Sequence, residues 1–378
     1  MDNAATSFPK PEQVYQAVNR AMREAGGNPG RSGHRLSLAA SRIVAEARLR
    51  CAKLLGAQAP ELLVFTPNAT TALNIALKGL LTAGDHVLTS SLEHNSVTRP
   101  LYYLQQAGVE VTKLPTDLNT GLSVDALERA LRPNTKMLVC SHVSNVTGTV
   151  NDLAALGAFC RAQGLIFLVD AAQSAGVRRL DVREMQIDLL AFPGHKGLLG
   201  LQGTGGLYLR PGLEFAPLLQ GGTGSRSELL AQPERLPEKF ESGTLNTPGL
   251  AGLAAGVEFV LERGVAAIES REKALVTRLL EGVHGIKGIQ YNGPAQGYDR
   301  GGVVSLRFAH VSPDAAALFL DSAFNLAVRS GLHCAADAHR TIGALESGGT
   351  LRISPNYFNT EAEIDRCLTA LSHCAKGL

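Results

Sequence analysis

The chain of 378 residues is 45% apolar and 19% charged, with a formal net charge of +2, and is long enough for two or three bodies that each bury a core. Lys and Arg are scattered and never form a basic run, so there is no electrostatic case for nucleic acid or a membrane surface as a partner. The start, MDNAATSFPKPEQ, lacks a signal-peptide pattern, and no apolar stretch is long enough to span a bilayer.

In chain order, short apolar runs alternate with helical patterns from about residue 60 to residue 210. Leu62–Phe65, His86–Thr89, Lys136–Cys140, Leu165–Val169 and Ile187–Phe192 read as buried strands, with Gly205–Arg210 as a further strand after a glycine turn. Thr71–Leu81, Thr98–Ala107, Val124–Leu131 and Asp152–Gln163 read as the helices between them. This alternation predicts an α/β fold with a mainly parallel sheet covered on both faces. Beyond Gly249 the pattern changes. Helical stretches at Leu250–Glu262 and Ile268–His284 lead to strand candidates at Val303–Phe308, Leu326–Arg329 and Thr350–Ile353, with a closing helix at Glu361–Ala375. A smaller α+β unit is expected there. The expected divisions are an N-terminal segment over 1–15 packing near the active site, a large unit over 16–250 and a small one over 251–378.

In an open parallel sheet, ligands collect beyond the carboxyl ends of the strands, so the residues following each strand are the candidates. TPNATTALN places Thr70 and Thr71 where a helix begins, with free N–H groups and a positive dipole end, which suits a phosphate; a plain helix cap by Thr70 is the alternative. SSLEHNSV brings His94 to the same edge, able to stack on a ring or move protons, and SHVSNVTGT adds the amide of Asn145. VDAAQS ends a strand on Asp170, a charge in a dry place that wants a cationic partner. A pyridinium N–H would serve; a metal is the rival, but no His or second carboxylate lies nearby in sequence. PGHKG puts Lys196 at the end of a buried strand, where partial desolvation frees its amine as nucleophile and base.

In the smaller unit, AVRSGLHCAADAHR sets Cys334 in a polar loop beside His333 and after Arg329, a setting that favours a reactive thiolate. The other cysteines (Cys51, Cys140, Cys160, Cys367 and Cys374) sit in apolar or helical settings and read as small buried hydrophobes. None of the six forms a CxxC pair, and reduced thiols in the cytosol are expected. TLRISPNYFN places Arg352 on a strand, where a guanidinium can clamp a carboxylate.

Taken in order, TPNATTALN, EHNSV, SNVTGT, VDAAQS, GHKG, ESGTLNTPG, RSGLHC and LRISPNYFN resemble the class V aminotransferase group of fold-type I pyridoxal-phosphate enzymes. Within it they are most similar to the cysteine desulfurases and selenocysteine lyases with a short catalytic loop. The resemblance starts at DNAAT and covers nearly the whole chain.

It implies pyridoxal 5'-phosphate held as a Schiff base on Lys196, with Asp170 at the pyridine nitrogen and His94 stacked on the ring. Gln173 and Asn145 would lie around the ring hydroxyl, and Thr70, Thr71 and His195 at the phosphate. Thr244 would reach the phosphate of a neighbouring subunit in a homodimer. Arg352, with Arg329 and Asn145, would take the substrate carboxylate. Substrate cysteine would displace Lys196, which then accepts the Cα proton. The Cys334 thiolate would attack the substrate sulfur, leaving a persulfide on the enzyme and alanine as product. A sulfur-acceptor protein is implied as a further partner. Where the family often has a serine two residues before the His of GHK, this chain has Pro193, which has neither hydroxyl nor N–H. L-Selenocysteine is the alternative substrate, and another aminotransferase or lyase chemistry on the scaffold, or a PLP-binding regulator without catalysis, are the other readings.

Overall fold

The structure is a computed structural model and describes residues 1–377. Two helices come first, α1 (Glu12–Glu24) and α2 (Arg35–Leu55), and neither figures among the expected elements. The expected alternation follows. It runs β1 (Leu63–Thr66), α3 (Ala69–Leu80), β2 (His86–Ser90), α4 (Asn95–Gln106), β3 (Glu110–Leu114) and α5 (Val124–Ala130), then β4 (Thr135–Ser141), α6 (Leu153–Gln163), β5 (Ile166–Asp170), β6 (Leu189–Pro193) and β7 (Gly205–Leu209). The caps are written in the sequence. Asn68 accepts from the Thr71 N–H to start α3, and Asp152 accepts from Ala154 and Ala155 to start α6, which stops at Gly164 in the left-handed region (φ 68°).

The seven strands lie in the order β1-β7-β6-β5-β4-β2-β3. Only β7 runs against its neighbours, pairing antiparallel with both β1 and β6. Side chains alternate between faces along each strand. Leu63, Phe65, Leu138, Phe167, Val169 and Phe192 go to one face, Val64, Met137, Val139, Leu168 and Leu189 to the other, and each face has its own buried cluster. The near-continuous apolar runs of the strands follow from this double burial.

The rest of the chain gives α7 (Thr247–Arg263), α8 (Val265–His284), β8 (Ile289–Tyr291), β9 (Val304–Phe308), α9 (Pro313–Phe324), β10 (Arg329–Gly331), α10 (Ala336–Thr341), β11 (Thr350–Ile353) and α11 (Glu361–Ala375). Its strands form a second sheet, β10-β11-β9-β8, antiparallel throughout. The strand expected at Leu326–Arg329 begins at Arg329 instead, because pairing with β11 sets Arg329 opposite Arg352, while Leu326 is buried in the core below. Helix α7 packs Leu250, Leu253, Ala254 and Val257 into the first core, whereas α8 contributes Leu275, Val276, Leu279 and Leu280 to the second. This packing favours a division at the Gly264 turn rather than at residue 250. Among the described residues, no helix is long and apolar enough to cross a membrane.

Candidate active site

Because six of the seven strands run parallel, their carboxyl ends open on one side. A cavity of about 230 Å³ lies there, between the two sheets. Asn68, Ala69 and Thr70 line it after β1, and His94 and Ser96 after β2. Asn145 follows β4, Asp170 and Gln173 follow β5, and Pro193, His195 and Lys196 follow β6. The second sheet supplies Arg329, His333 and Arg352, and the N-terminal segment supplies Ala4 and Ala5. Most residues singled out in the sequence are thus brought to one place from distant points in the chain.

Lys196 stands half-buried at this cavity, and its ammonium has no hydrogen-bond partner among the described residues. Burial holds its pKa down at about 8, with Arg352 and Arg329 adding to the effect and Asp170 opposing it. Gly197 next to it has no room for a side chain: a Cβ would lie 2.5 Å from the Ala175 carbonyl oxygen and 2.6 Å from Val177. The lysine loop is therefore pressed against the turn that follows Asp170. Asp170 is 4% exposed, and one of its carboxylate oxygens accepts from the Ala172 N–H at 2.9 Å. Burial pushes its pKa up, against the pull of that N–H and of Lys196.

His94 caps helix α4. Its Nδ1 accepts from the Ser96 N–H at 3.0 Å, so in the neutral ring the proton sits on Nε2. Burial and the nearby cations Lys196, Arg329 and Arg352 hold its pKa down at about 4, which keeps the ring neutral at ordinary pH. The Ser96 hydroxyl lies 2.9 Å from the same Nδ1 and 2.7 Å from the Thr70 hydroxyl, tying the N-termini of α3 and α4 together. The first N–H groups of α3, those of Ala69 and Thr70, have no partner within the helix. His195 Nδ1 is buried without a partner, and burial, with Lys196 and Lys10 nearby, lowers the pKa of this ring to about 4.

Of the expected phosphate contacts on this chain's own cavity, that of Thr71 does not reach it, and Thr244, expected at a neighbouring subunit's phosphate, stands outside it. Thr71 gives its N–H and hydroxyl to the side chain of Asn68, the true cap of α3, and so turns away. Thr244 lies on the exposed loop before α7, where its hydroxyl accepts from Asn28 at 3.2 Å. Asn145 donates to the His333 carbonyl at 2.8 Å, and Gln173 donates to the Ala4 carbonyl at 3.1 Å, so both amides already have a partner beside the cavity. Sequence reasoning passed over Asn68 and Ser96, although an Asn before a helical run and a Ser two residues after a capping His are readable signals.

Cys334 is exposed and directly follows His333, which lines the cavity. The other five cysteines are buried, and burial pushes their thiols up, to about 12 for Cys51, Cys160 and Cys367. His333 and Cys334 are consecutive residues in the left-handed region (φ 49° and 58°), a strained pair held by its surroundings. The Asn145 amide fixes the His333 carbonyl, and the Asn95 N–H, in the first turn of α4, donates to the Cys334 carbonyl at 2.7 Å. Arg329 places Nη2 at 3.7 Å from the Cys334 sulfur.

Residues 1–367 match the family described as aminotransferase class-V, and the chain belongs to that family. A probable cysteine desulfurase from Methanothermobacter thermautotrophicus is 36% identical over 369 residues, which cover 96% of this chain and 91% of that one. The apo structure of a cysteine desulfurase from Thermococcus onnurineus matches with a TM-score of 0.93 at 34% identity, over all of this chain and 94% of the other. The cysteine desulfurase CsdA of Escherichia coli, in an S-sulfonic acid form, matches with a TM-score of 0.89 at 29% identity, over 100% and 94% of the two chains.

Proposed function

We propose that this protein is a pyridoxal-phosphate-dependent cysteine desulfurase that converts L-cysteine to L-alanine and takes the sulfur onto Cys334. The observation that carries the reading is the convergence on one cavity of Lys196, Asp170 and His333, the residue directly before the one exposed cysteine among the described residues. The relatives named above support the same activity.

The residues present fit the cofactor. The unpartnered Lys196 amine suits an aldehyde, and Asp170, a buried carboxylate, suits a cationic ring N–H. The bare N–H groups at the start of α3, with Thr70 and the orphaned His195 Nδ1, suit a phosphate. Pro193 lines the cavity and contributes nothing to that cradle. When bound, pyridoxal phosphate supplies an electron sink for charge developing at the substrate Cα. Lys196 would hold the cofactor through its Nζ, and that same Nζ, when free, would carry the Cα proton. His94 would lie against the ring with a neutral imidazole whose proton is on Nε2. Arg352 takes the substrate carboxylate, and Asn145 and Gln173 border the ring. The Cys334 thiolate would attack the substrate sulfur, forming the S–S bond as the C–S bond breaks; the electron pair of that bond stays with the substrate carbon, which takes a proton to become the methyl group of alanine.

The remaining features support a homodimer and a sulfur-acceptor protein. Leu230 is fully exposed, and Leu219 and Leu229 stand out on the same excursion between β7 and α7, close in sequence to the exposed Thr244. The exposed position of Cys334 suits delivery to a second protein. Six unpaired cysteines suit the reducing cytoplasm.

The test is to incubate cofactor-loaded protein with L-cysteine and a reductant and to assay sulfide and alanine. Equal amounts of both are expected; alanine without sulfide, or neither, would sink the reading. The titration of Lys196 gives a further expectation. Only the neutral amine attacks an aldehyde, so covalent capture of pyridoxal phosphate by cofactor-free protein should speed up about tenfold per pH unit below pH 8 and level off above it. Stopped-flow absorbance checks this, and a midpoint near that of an ordinary lysine would show that burial does not act on the amine.

A further inference from the structure

The N-terminal segment joins the two sheets across the cavity. At one end four donors converge on the carbonyl of His195, next to Lys196: the Ser7 N–H, the hydroxyls of Thr6 and Ser7, and the Lys10 ammonium at 3.0 Å. At the other end the segment lies along the end of β11. Ser354 donates its N–H to the Met1 carbonyl, its hydroxyl accepts from the Ala4 N–H, and its carbonyl accepts from the Asn3 side chain at 2.9 Å. The Met1 ammonium donates to the Ala327 carbonyl at 2.8 Å. The backbone of residue 2 is therefore held on both sides.

That carboxylate meets Arg352. The arginine is 1% exposed, and its Nη2 donates to Asp2 Oδ1 at 2.8 Å. Its Nη1 donates to the Asn145 carbonyl at 3.1 Å, and its Nε has no partner. Asp2 is the only carboxylate within ion-pair distance of this guanidinium among the described residues. A buried cation with no anion carries a heavy desolvation cost, and a long arginine side chain has many rotamers to lose. Each Nη carries two hydrogens, and one of each pair remains for an incoming carboxylate.

We infer that Asp2 is a positioning residue for the carboxylate site: it fixes and charge-balances the Arg352 guanidinium between turnovers, and so sets how strongly the cavity prefers an amine bearing a carboxylate to the same amine without one. The inference rests on the reading of Arg352 as the carboxylate group of a cysteine desulfurase, and it assigns to the N-terminal segment a part in substrate selection.

The test uses cofactor-loaded full chain with any affinity tag at the C-terminus, because the Met1 ammonium is itself engaged. Binding of L-cysteine, L-alanine and cysteamine is followed by the visible absorbance of the bound cofactor and by calorimetry, and kcat and KM are measured for L-cysteine. Asp2→Ala should raise the Kd for L-alanine and the KM for L-cysteine at least tenfold, with cysteamine binding changed less than twofold and kcat less than threefold. Asp2→Asn keeps an oxygen at the same place without its charge, and should fall between wild type and Asp2→Ala. Equal weakening of cysteine and cysteamine would mean that the segment has merely loosened, and would overturn the inference. So would unchanged discrimination in both variants, or a wild type that binds L-alanine no better than ethylamine. A wild type that never binds pyridoxal phosphate covalently would instead overturn the functional reading on which the inference rests.

Discussion

Lys196→Ala is expected to lose all measurable alanine and sulfide production, a fall of at least roughly 10³-fold, the scale set by a positioned acid–base group. On the proposed reading the amine has two tasks at one atom, holding the cofactor and moving the Cα proton, and no second lysine lines the cavity. Lys10 is the nearest rival. Burial holds its pKa at about 8, but its ammonium is tied to Ser7 and to the His195 carbonyl, which leaves it no free approach. Lys196→Arg keeps a cation without a nucleophilic amine and should be equally inactive. In both variants the cofactor should wash out on gel filtration, because only the α3 N-terminus, Asp170 and His94 would hold it. Retained turnover in either variant would remove Lys196 from the reaction.

Cys334→Ala should stop the sulfur at an earlier point. The cavity around Lys196 is untouched, so cysteine should still perturb the absorbance of the bound cofactor, while sulfide release falls by at least roughly 10²-fold. Cys334→Ser keeps the shape and the left-handed backbone demand but offers a much weaker nucleophile, and should match the alanine variant. Alkylation separates the thiols independently. Iodoacetamide should label Cys334 well before the five buried cysteines, whose thiols burial holds in the protonated form. A fully active Cys334→Ala protein would show that the sulfur leaves by another route.

How much of this was legible depended on what each element faces. The strands of the first sheet are buried on both sides, so Val87–Leu88, Met137–Cys140 and Phe167–Val169 are plain apolar runs that stand out from their surroundings. The edge strand β3 is half solvated, and Glu110, Thr112 and Lys113 mask its alternation. Helix α1 packs against α7 with Val14 and Ala21 buried, a spacing of two turns that was available in the sequence but not drawn on. Helix α9 opens with Ser312 as cap and Pro313 behind it, an equally readable start. For the site, types of residue at strand ends were enough to single out Lys196, Asp170 and His94, which line one cavity. What sequence reasoning missed was which polar side chains would be occupied by neighbours: Thr71 by the Asn68 cap, Asn145 by the cysteine loop, Arg352 by a carboxylate from the far end of the chain. The last two pairings depend on the two sheets meeting, and nothing local encodes them; the Asn68 cap is local and was readable.

The placement of the chain's ends also sets an order of events during synthesis. Strand β1 finds its only partner in β7, the last strand of its sheet to be made, and Asp2 finds Arg352 only 350 residues later. A nascent chain can pair β2, β4, β5 and β6 while residues 1–4 still lack the end of β11 on which they dock. The lysine loop therefore exists before Arg352 does, and Asp2 must stay available until that arginine has been made.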